Sequence, residues 1–158
     1  MWRAPICQRD AAAHVFWVPR WRADQKDVAA REAAAAEGLN NFFKASACFA
    51  SASVLRLPQP ATGVTQDVLD KARARGEKVV LIGVRELGPT VSIGASWALV
   101  EGATEVVLDV TEYVPSSPMH RTFAVHWRSG GPGVLKGVAG LPQDMQAALA
   151  AALQPAAK

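Results

Sequence analysis

The chain has 158 residues and a mass of 16.8 kDa, the size of one domain that can bury a proper core. Half of the residues are hydrophobic and a fifth are charged, and no apolar run reaches the roughly 18 residues that a membrane-spanning helix needs. The net charge of +3 comes from Lys and Arg residues scattered among Asp and Glu, so the sequence contains no basic block and argues against nucleic-acid binding.

The chain begins with an irregular segment. Residues 1–12 carry Pro, Cys and polar residues without periodicity, and we expect an N-terminal arm followed by a single domain at 13–154. The arm lacks the apolar stretch of a signal peptide, and Pro5 and Ile6 before Cys7 are not the small residues of a lipoprotein cleavage site. The sequence leaves open a cytosolic protein or one whose leader has been removed.

The two cysteines, Cys7 and Cys48, allow two interpretations. Free cysteines commonly pack in cores as small hydrophobic residues. A disulfide between them would tie the arm to the second predicted strand and would require an oxidising compartment. The spacing does not choose between these interpretations.

A strand and a long helix follow the arm. The β-rich run at 13–18 ends at Pro19 and predicts the first strand. Asp24 is a suitable N-cap for a helix of five or six turns that ends near Ser46. Apolar residues recur at helical spacing through this segment: Val28, Ala35, Leu39, Phe42 and Phe43.

A second strand and a second helix come next. The run at 47–57 is rich in Ala and Ser, which predicts a strand beneath the helices where space is short. Thr65 is then placed to cap a helix containing Val68, Leu69 and Ala72. Gly76 supplies the left-handed residue that commonly ends a helix.

The middle third contains four strand-like runs, at 78–87, 91–100, 104–114 and 120–128. Their short connections predict an antiparallel meander. Apolar and polar residues alternate in the last three runs, so we expect one buried face and one wetter face. The residues expected in the core are Trp97, Val106, Leu108, Val110, Phe123, Val125 and Trp127.

A glycine-rich stretch at 129–140 leads to Pro142, in the first turn of a last helix with an apolar stripe of Met145, Leu149 and Leu153. The elements together predict an α+β domain. It has a single mixed sheet of about six strands, in the order strand, helix, strand, helix, four-strand meander and C-terminal helix. We expect all the helices on one face.

No segment of the sequence closely matches a known catalytic or phosphate-binding motif. The stretch at 129–137 lacks the spacing of a phosphate-binding loop, and the run at 94–98 has Ala where a nucleophile elbow needs its second Gly. The histidines His14, His120 and His126 have no metal-ligand spacing. We therefore expect no catalytic residue, no metal and no cofactor. His126 and Asp109, on the wetter sides of adjacent predicted strands, indicate at most a surface pair.

The most distinctive local sequence is the aromatic and basic run at 16–22. Trp17 is expected in the core. Trp and Arg are enriched in binding hot spots, so Arg20, Trp21 and Arg22 are the candidate binding residues. The alternative for Trp21 is packing against its own domain.

The element order, the run at 84–89 and the run at 100–108 with its turn Glu101-Gly102-Ala103 resemble small proteobacterial periplasmic lipoprotein domains. These include the TolB N-terminal, LpoB and CsgG-type domains and the auxiliary lipoproteins of ABC-type transport. The chain departs from them at its front, where no lipobox cysteine is present. The resemblance covers about residues 12–153 and implies a non-enzymatic accessory domain in the periplasm.

The sequence therefore leads to two functional hypotheses. The first is a non-catalytic periplasmic accessory protein, associated with the outer membrane through a lipid anchor outside this sequence, that contacts envelope proteins. The alternative is a ligand-binding or enzymatic domain with a pocket between sheet and helices, lined by Trp97, Phe123, Trp127 and Phe42.

Overall fold

The structure, a computed structural model, describes residues 5–25, 27–58, 63–93, 100–117, 119–132 and 140–154, and at 89–93, 100–103 and 130–132 it describes the backbone alone. The strands are β1 (Gln8–Pro19), β2 (Phe49–Arg56), β3 (Lys78–Ile93), β4 (Val100–Tyr113) and β5 (His120–Pro132). The helices are α1 (Val28–Ala45), α2 (Gln66–Ala74) and α3 (Leu141–Leu153). The predicted α+β class with a single mixed sheet is confirmed.

The five strands lie in the order β2-β1-β3-β4-β5. β1 pairs in parallel with both β2 and β3, whereas β3, β4 and β5 pair antiparallel. The helices α1 and α2 are the crossovers that parallel neighbours require. The remaining strands form a meander of three rather than four strands.

Within the described residues the sheet has five strands rather than about six, because the turn predicted between the runs at 78–87 and 91–100, at Gly88 and Pro89, is wrong. β3 continues through both residues to Ile93, in antiparallel register with β4. The guanidinium of Arg31 occupies the space that a Cβ at Gly88 would need, and it donates a hydrogen bond to the Leu87 carbonyl. Gly88 therefore admits a close contact within a strand instead of turning the chain.

The helices cover both faces of the sheet, which corrects the prediction that all lie on one face. α1 and α3 pack on the face that holds the main core, which includes Trp17, Ile82 and Leu108. α2 packs on the opposite face, over a smaller cluster of buried residues. The members of that second cluster are Phe16, Val18, Ala72, Val79 and Leu81.

The predicted register of the meander is confirmed in β4, where Val106, Leu108 and Val110 are fully buried in the main core. Phe123 and Trp127 in β5 face the same side and pack against this core, but they are only partly buried. These two side chains are less buried than those of β4 because β5 is an edge strand of the sheet. Trp97 lies outside the described residues.

The start of α1 lies about one turn after its predicted position, whereas both ends of α2 are as predicted. α1 begins at Val28 with Asp27 at its N-cap, while Asp24, the predicted cap, pairs with Arg22. The cap of α2 is confirmed, because the Thr65 hydroxyl accepts a hydrogen bond from the Val68 N–H. The left-handed residue at Gly76, with φ of 68°, is confirmed as well.

β2 is the edge strand of the parallel half, which corrects its predicted place beneath the helices. Its small residues from Ala50 to Ser53 are all exposed. Close packing beneath the helices therefore does not account for the small size of these residues. Leu55, the large apolar residue of the strand that does not face the main core, is 57% exposed.

Gly38 lies where α1 packs tightly against α3. A Cβ at this position would lie 2.6 Å from the Met145 Cβ and 2.9 Å from the Pro142 carbonyl oxygen. Overpacking of a core typically costs 1–3 kcal/mol, which exceeds the roughly 1 kcal/mol that Ala gains over Gly in a helix. We expect Gly38→Ala to lower the free energy of unfolding measured in urea, and Glu37→Ala on the exposed side to leave it nearly unchanged. A more stable Gly38→Ala protein would contradict this packing.

Candidate functional site

The predicted binding residues Arg20, Trp21 and Arg22 follow β1 directly and take different positions. Trp21 is partly buried against the main core, and its indole nitrogen is buried without a hydrogen-bond partner among the described residues. Arg22 pairs with Glu86 at 2.7 Å and with Asp24 at 3.3 Å. The Trp21 ring thus packs on its own domain instead of projecting as a free anchor. Binding by this segment stays a prediction.

Arg20 belongs to a charged cluster on the face of the sheet that α2 only partly covers. Its guanidinium lies over Gly83, with Nη1 at 3.7 Å from Oδ2 of Asp109. Arg85 reaches the same carboxylate oxygen at 2.8 Å. The cluster holds two guanidinium groups around one carboxylate, and each side chain is a quarter to nearly a half exposed.

The predicted pair of His126 and Asp109 is not formed. Asp109 lies opposite Ala124 in the β4–β5 ladder, and His126 lies opposite Val107. The two side chains share a face but are offset by two positions, and the Asp109 carboxylate is engaged by arginine.

Cys7 and Cys48 form a disulfide, with a Cα–Cα distance of 4.6 Å. The backbone around Cys7 is held too, because the N–H groups of Ile6 and Cys7 donate to the Leu153 carbonyl at 3.0 and 3.2 Å. The buried Lys78 ammonium donates to the Ile6 carbonyl at 3.1 Å. The described part of the predicted arm is therefore integral to the domain. The disulfide is consistent with an oxidising compartment.

A hydrogen-bonded array of three side chains joins β2, β1 and the start of β3. His14 Nε2 lies 2.8 Å from Glu77 Oε1, and His14 Nδ1 lies 2.9 Å from the Ser53 hydroxyl. With the proton of a neutral imidazole on Nε2, Nδ1 accepts from Ser53, which is the carboxylate–imidazole–hydroxyl order of a hydrolase triad. Ser53, however, lies within an extended strand rather than on the sharp turn that exposes such nucleophiles.

The array borders an open cavity of about 160 Å³ between α2 and the sheet, which we call the α2 groove. Strand β1 contributes the floor and α2 contributes one wall. The lining residues are His14, Phe16, Val68, Lys71, Ala72, Arg75 and Glu77. The lining thus combines apolar side chains, two cationic side chains from α2 and its C-cap, and the histidine–glutamate pair.

Sequence reasoning missed the α2 groove, although one signal was available. Val68, Lys71, Ala72 and Arg75 stand at positions i, i+3, i+4 and i+7, which share one face of a helix. This spacing places two cations beside two apolar residues. The position of His14 opposite this face depends on which side of the sheet α2 occupies, and the prediction placed α2 on the other side.

Among the described residues, the aromatic side chains predicted to line a pocket between sheet and helices pack in or against the main core. Phe42 is buried and makes an edge-to-face contact with Phe43 at 5.0 Å between ring centroids. Phe123 and Trp127 pack against the same core. These rings fill the core, and the α2 groove lies on the opposite face of the sheet.

The described ranges contain neither a metal-binding cluster nor a membrane-spanning helix. Within those ranges, no three His, Cys, Asp or Glu side chains are grouped so that they could hold a metal ion. None of the helices found there has the length and apolar character needed to cross a membrane.

Comparisons with known proteins give only distant likenesses. No protein-family model matches the chain, and no curated protein matches it. The chain is similar to a PelC dodecamer subunit from Paraburkholderia phytofirmans, with 17% identity, a TM-score of 0.48 and coverage of 97% of this chain and 94% of that one. It is also similar to the protein CT253 from Chlamydia trachomatis, with 8% identity, a TM-score of 0.49 and coverage of 93% and 99%. Scores this low transfer no function.

Proposed function

We propose that this protein is a non-catalytic accessory domain of the bacterial periplasm that binds an envelope protein by pairing an extended segment of that partner with β2. The observation that carries the proposal is the nearly uncharged sheet edge at β2, which no strand among the described residues covers. Main-chain hydrogen bonds to such an edge supply affinity, and side-chain contacts on either side supply specificity.

The free hydrogen-bonding groups of β2 can be assigned from the ladder. The Leu57 N–H donates to the Trp17 carbonyl of β1 at 2.8 Å. Backbone groups alternate in direction along a strand, so those of Ala52, Val54 and Arg56 point away from β1. Eight residues of strand offer a partner segment a row of donors and acceptors about 26 Å long.

The composition of β2 supports binding because the strand has few of the charged residues and none of the prolines that usually protect a sheet edge. Natural edge strands are blunted by Lys, Pro, bulges or inward charges that oppose pairing. The sequence of β2 is FASASVLR, in which Arg56 is the one charged residue and no proline occurs. From Ala50 to Ser53 the edge therefore presents small side chains that do not obstruct an added strand.

The proposed compartment is supported by the disulfide, since such bonds persist in the periplasm and are rare in the cytosol. The absence of catalysis is part of the same proposal. The Ser53–His14–Glu77 array is the arrangement to test against it. Reproducible turnover that is lost in His14→Ala, or labelling of Ser53 by a fluorophosphonate, would overturn the non-catalytic assignment.

Ala52→Pro tests the binding mode directly. Proline removes the outward N–H of residue 52 and leaves the bonds of β2 to β1 in place. A photo-crosslinking residue at Ala50, in the bacterium that carries the gene, should yield one defined adduct with an envelope protein. We expect Ala52→Pro to reduce that adduct at least tenfold and Ala52→Val, which keeps the N–H, to retain it.

The proline variant must remain folded for this comparison, which its urea midpoint checks. An undiminished adduct in folded Ala52→Pro would contradict strand addition at β2. An adduct formed only between copies of this chain would replace the proposed partner with self-association.

A further inference from the structure

We propose that the α2 groove binds a small organic acid, with the carboxylate held by Lys71 and Arg75 and the apolar body on Phe16 and Val68. The groove lies on the opposite face of the sheet from the main core. This binding does not depend on strand addition at β2, so each can be tested without the other.

The charge of the wall selects an anion. Lys71 has an ion pair with Asp67 at 3.2 Å, but both side chains are at least 70% exposed, and surface pairs of this kind contribute little. Arg75 makes no side-chain hydrogen bond or ion pair with any residue that the structure describes. Two cations one helical turn apart are therefore available to one carboxylate. The two oxygens of a carboxylate match the paired N–H donors of the Arg75 guanidinium.

A carboxylate in the lining limits the ligand to a single negative charge. Glu77 lines the groove and is bonded to His14, so a second anionic group beside it would face a carboxylate. The imidazole is itself held between Glu77 and Ser53 and cannot turn to a ligand without breaking one of these bonds. A monoanion with its charge toward α2 and a neutral body toward β1 is the arrangement that avoids repulsion.

The floor and the volume define the rest of the ligand. Phe16, Val68 and Ala72 give the floor and wall an apolar surface beneath the two cations. The cavity of about 160 Å³ is about half of the roughly 300 Å³ at the lower end for drug-sized ligands. It suits an acid of one ring or one short chain, such as a benzoate-sized molecule, and excludes a long acyl chain.

Benzoate is the probe, and benzamide and inorganic phosphate are the comparisons, all at constant ionic strength. In amide NMR titrations we expect benzoate to shift the signals of Phe16, Val68, Lys71, Ala72 and Arg75 in a saturable way. We expect benzamide, which has the same shape without the charge, to bind at least tenfold more weakly. Phosphate, which has the charge without the apolar body, should bind more weakly than benzoate as well.

Arg75→Gln and Arg73→Gln form a matched pair of variants. Both side chains are exposed, Arg73 in the last turn of α2 and Arg75 at its C-cap, and both changes remove one positive charge, but only Arg75 lines the groove. We expect the benzoate Kd to rise at least fivefold in Arg75→Gln and less than twofold in Arg73→Gln. Ala52→Pro should leave benzoate binding unchanged.

Four results would overturn the inference. Equal binding of benzamide and benzoate would remove the role of the cations, and equal binding of phosphate would remove the role of the floor. Equal losses in Arg75→Gln and Arg73→Gln would reduce the effect to the general charge of α2. Shifts confined to residues outside the groove would place the ligand elsewhere.

Discussion

Opening the Cys7–Cys48 disulfide is expected to lower the free energy of unfolding by about 4 kcal/mol. The bridge spans a sequence separation of 41 residues, and the chain-entropy model gives this value for a closed loop of that length. Urea denaturation with and without reductant measures the difference. The effect is large relative to the roughly 5–15 kcal/mol of stability that is usual for a whole domain.

The double variant Cys7→Ala, Cys48→Ala is the control, because it should match the reduced protein and should not respond to reductant. Hydrogen exchange should report where the change occurs: the amides of Ile6 and Cys7, bonded to the Leu153 carbonyl, should lose protection first. Titration of two reactive thiols in the denatured protein, taken without reductant from its own compartment, would contradict both the bridge and the proposed oxidising location.

Leu108→Ala is the second change with a large expected effect. Leu108 is fully buried in the main core on β4, and truncation of such a residue costs 2–5 kcal/mol through lost burial and the cavity left behind. The measurement is again the urea midpoint with an unchanged m-value. Leu55→Ala is the matched control, because the same atoms are removed from a side chain that is 57% exposed, and it should cost less than about 0.5 kcal/mol.

Phe123, which the alternation placed in the core together with Leu108, has a smaller expected cost of truncation to Ala. It is partly buried on the edge strand β5, so less of its surface is withdrawn from water. Equal costs for Leu108→Ala and Leu55→Ala would show that the faces of the sheet are assigned wrongly.

Local patterns were sufficient for elements whose residues interact mainly with their near neighbours in sequence. The stripe of Met145, Leu149 and Leu153 predicted α3, and all three side chains are fully buried. Thr65 and Gly76 predicted both ends of α2, because caps depend on the backbone within one turn.

Local patterns failed where a distant residue decides the conformation. Gly88 and Pro89 have the composition of a turn, yet Arg31 from α1 lies against Gly88 and β4 pairs alongside, so the strand continues. The small residues of β2 suggested crowding by helices, whereas the strand lies at an edge. Neither outcome is visible within a short window of sequence.

The sequence by itself determined the class, the order of the elements and the buried face of β4, since these depend on periodicity and chain order. Only the tertiary structure decided which strands are neighbours. The chain steps from β1 outward to β2 and then back across β1 to β3, and right-handed crossovers in opposite directions place α1 and α2 on opposite faces. That arrangement leaves β2 as an open edge and brings Lys71 and Arg75 over His14, so both proposed sites arise from the strand order.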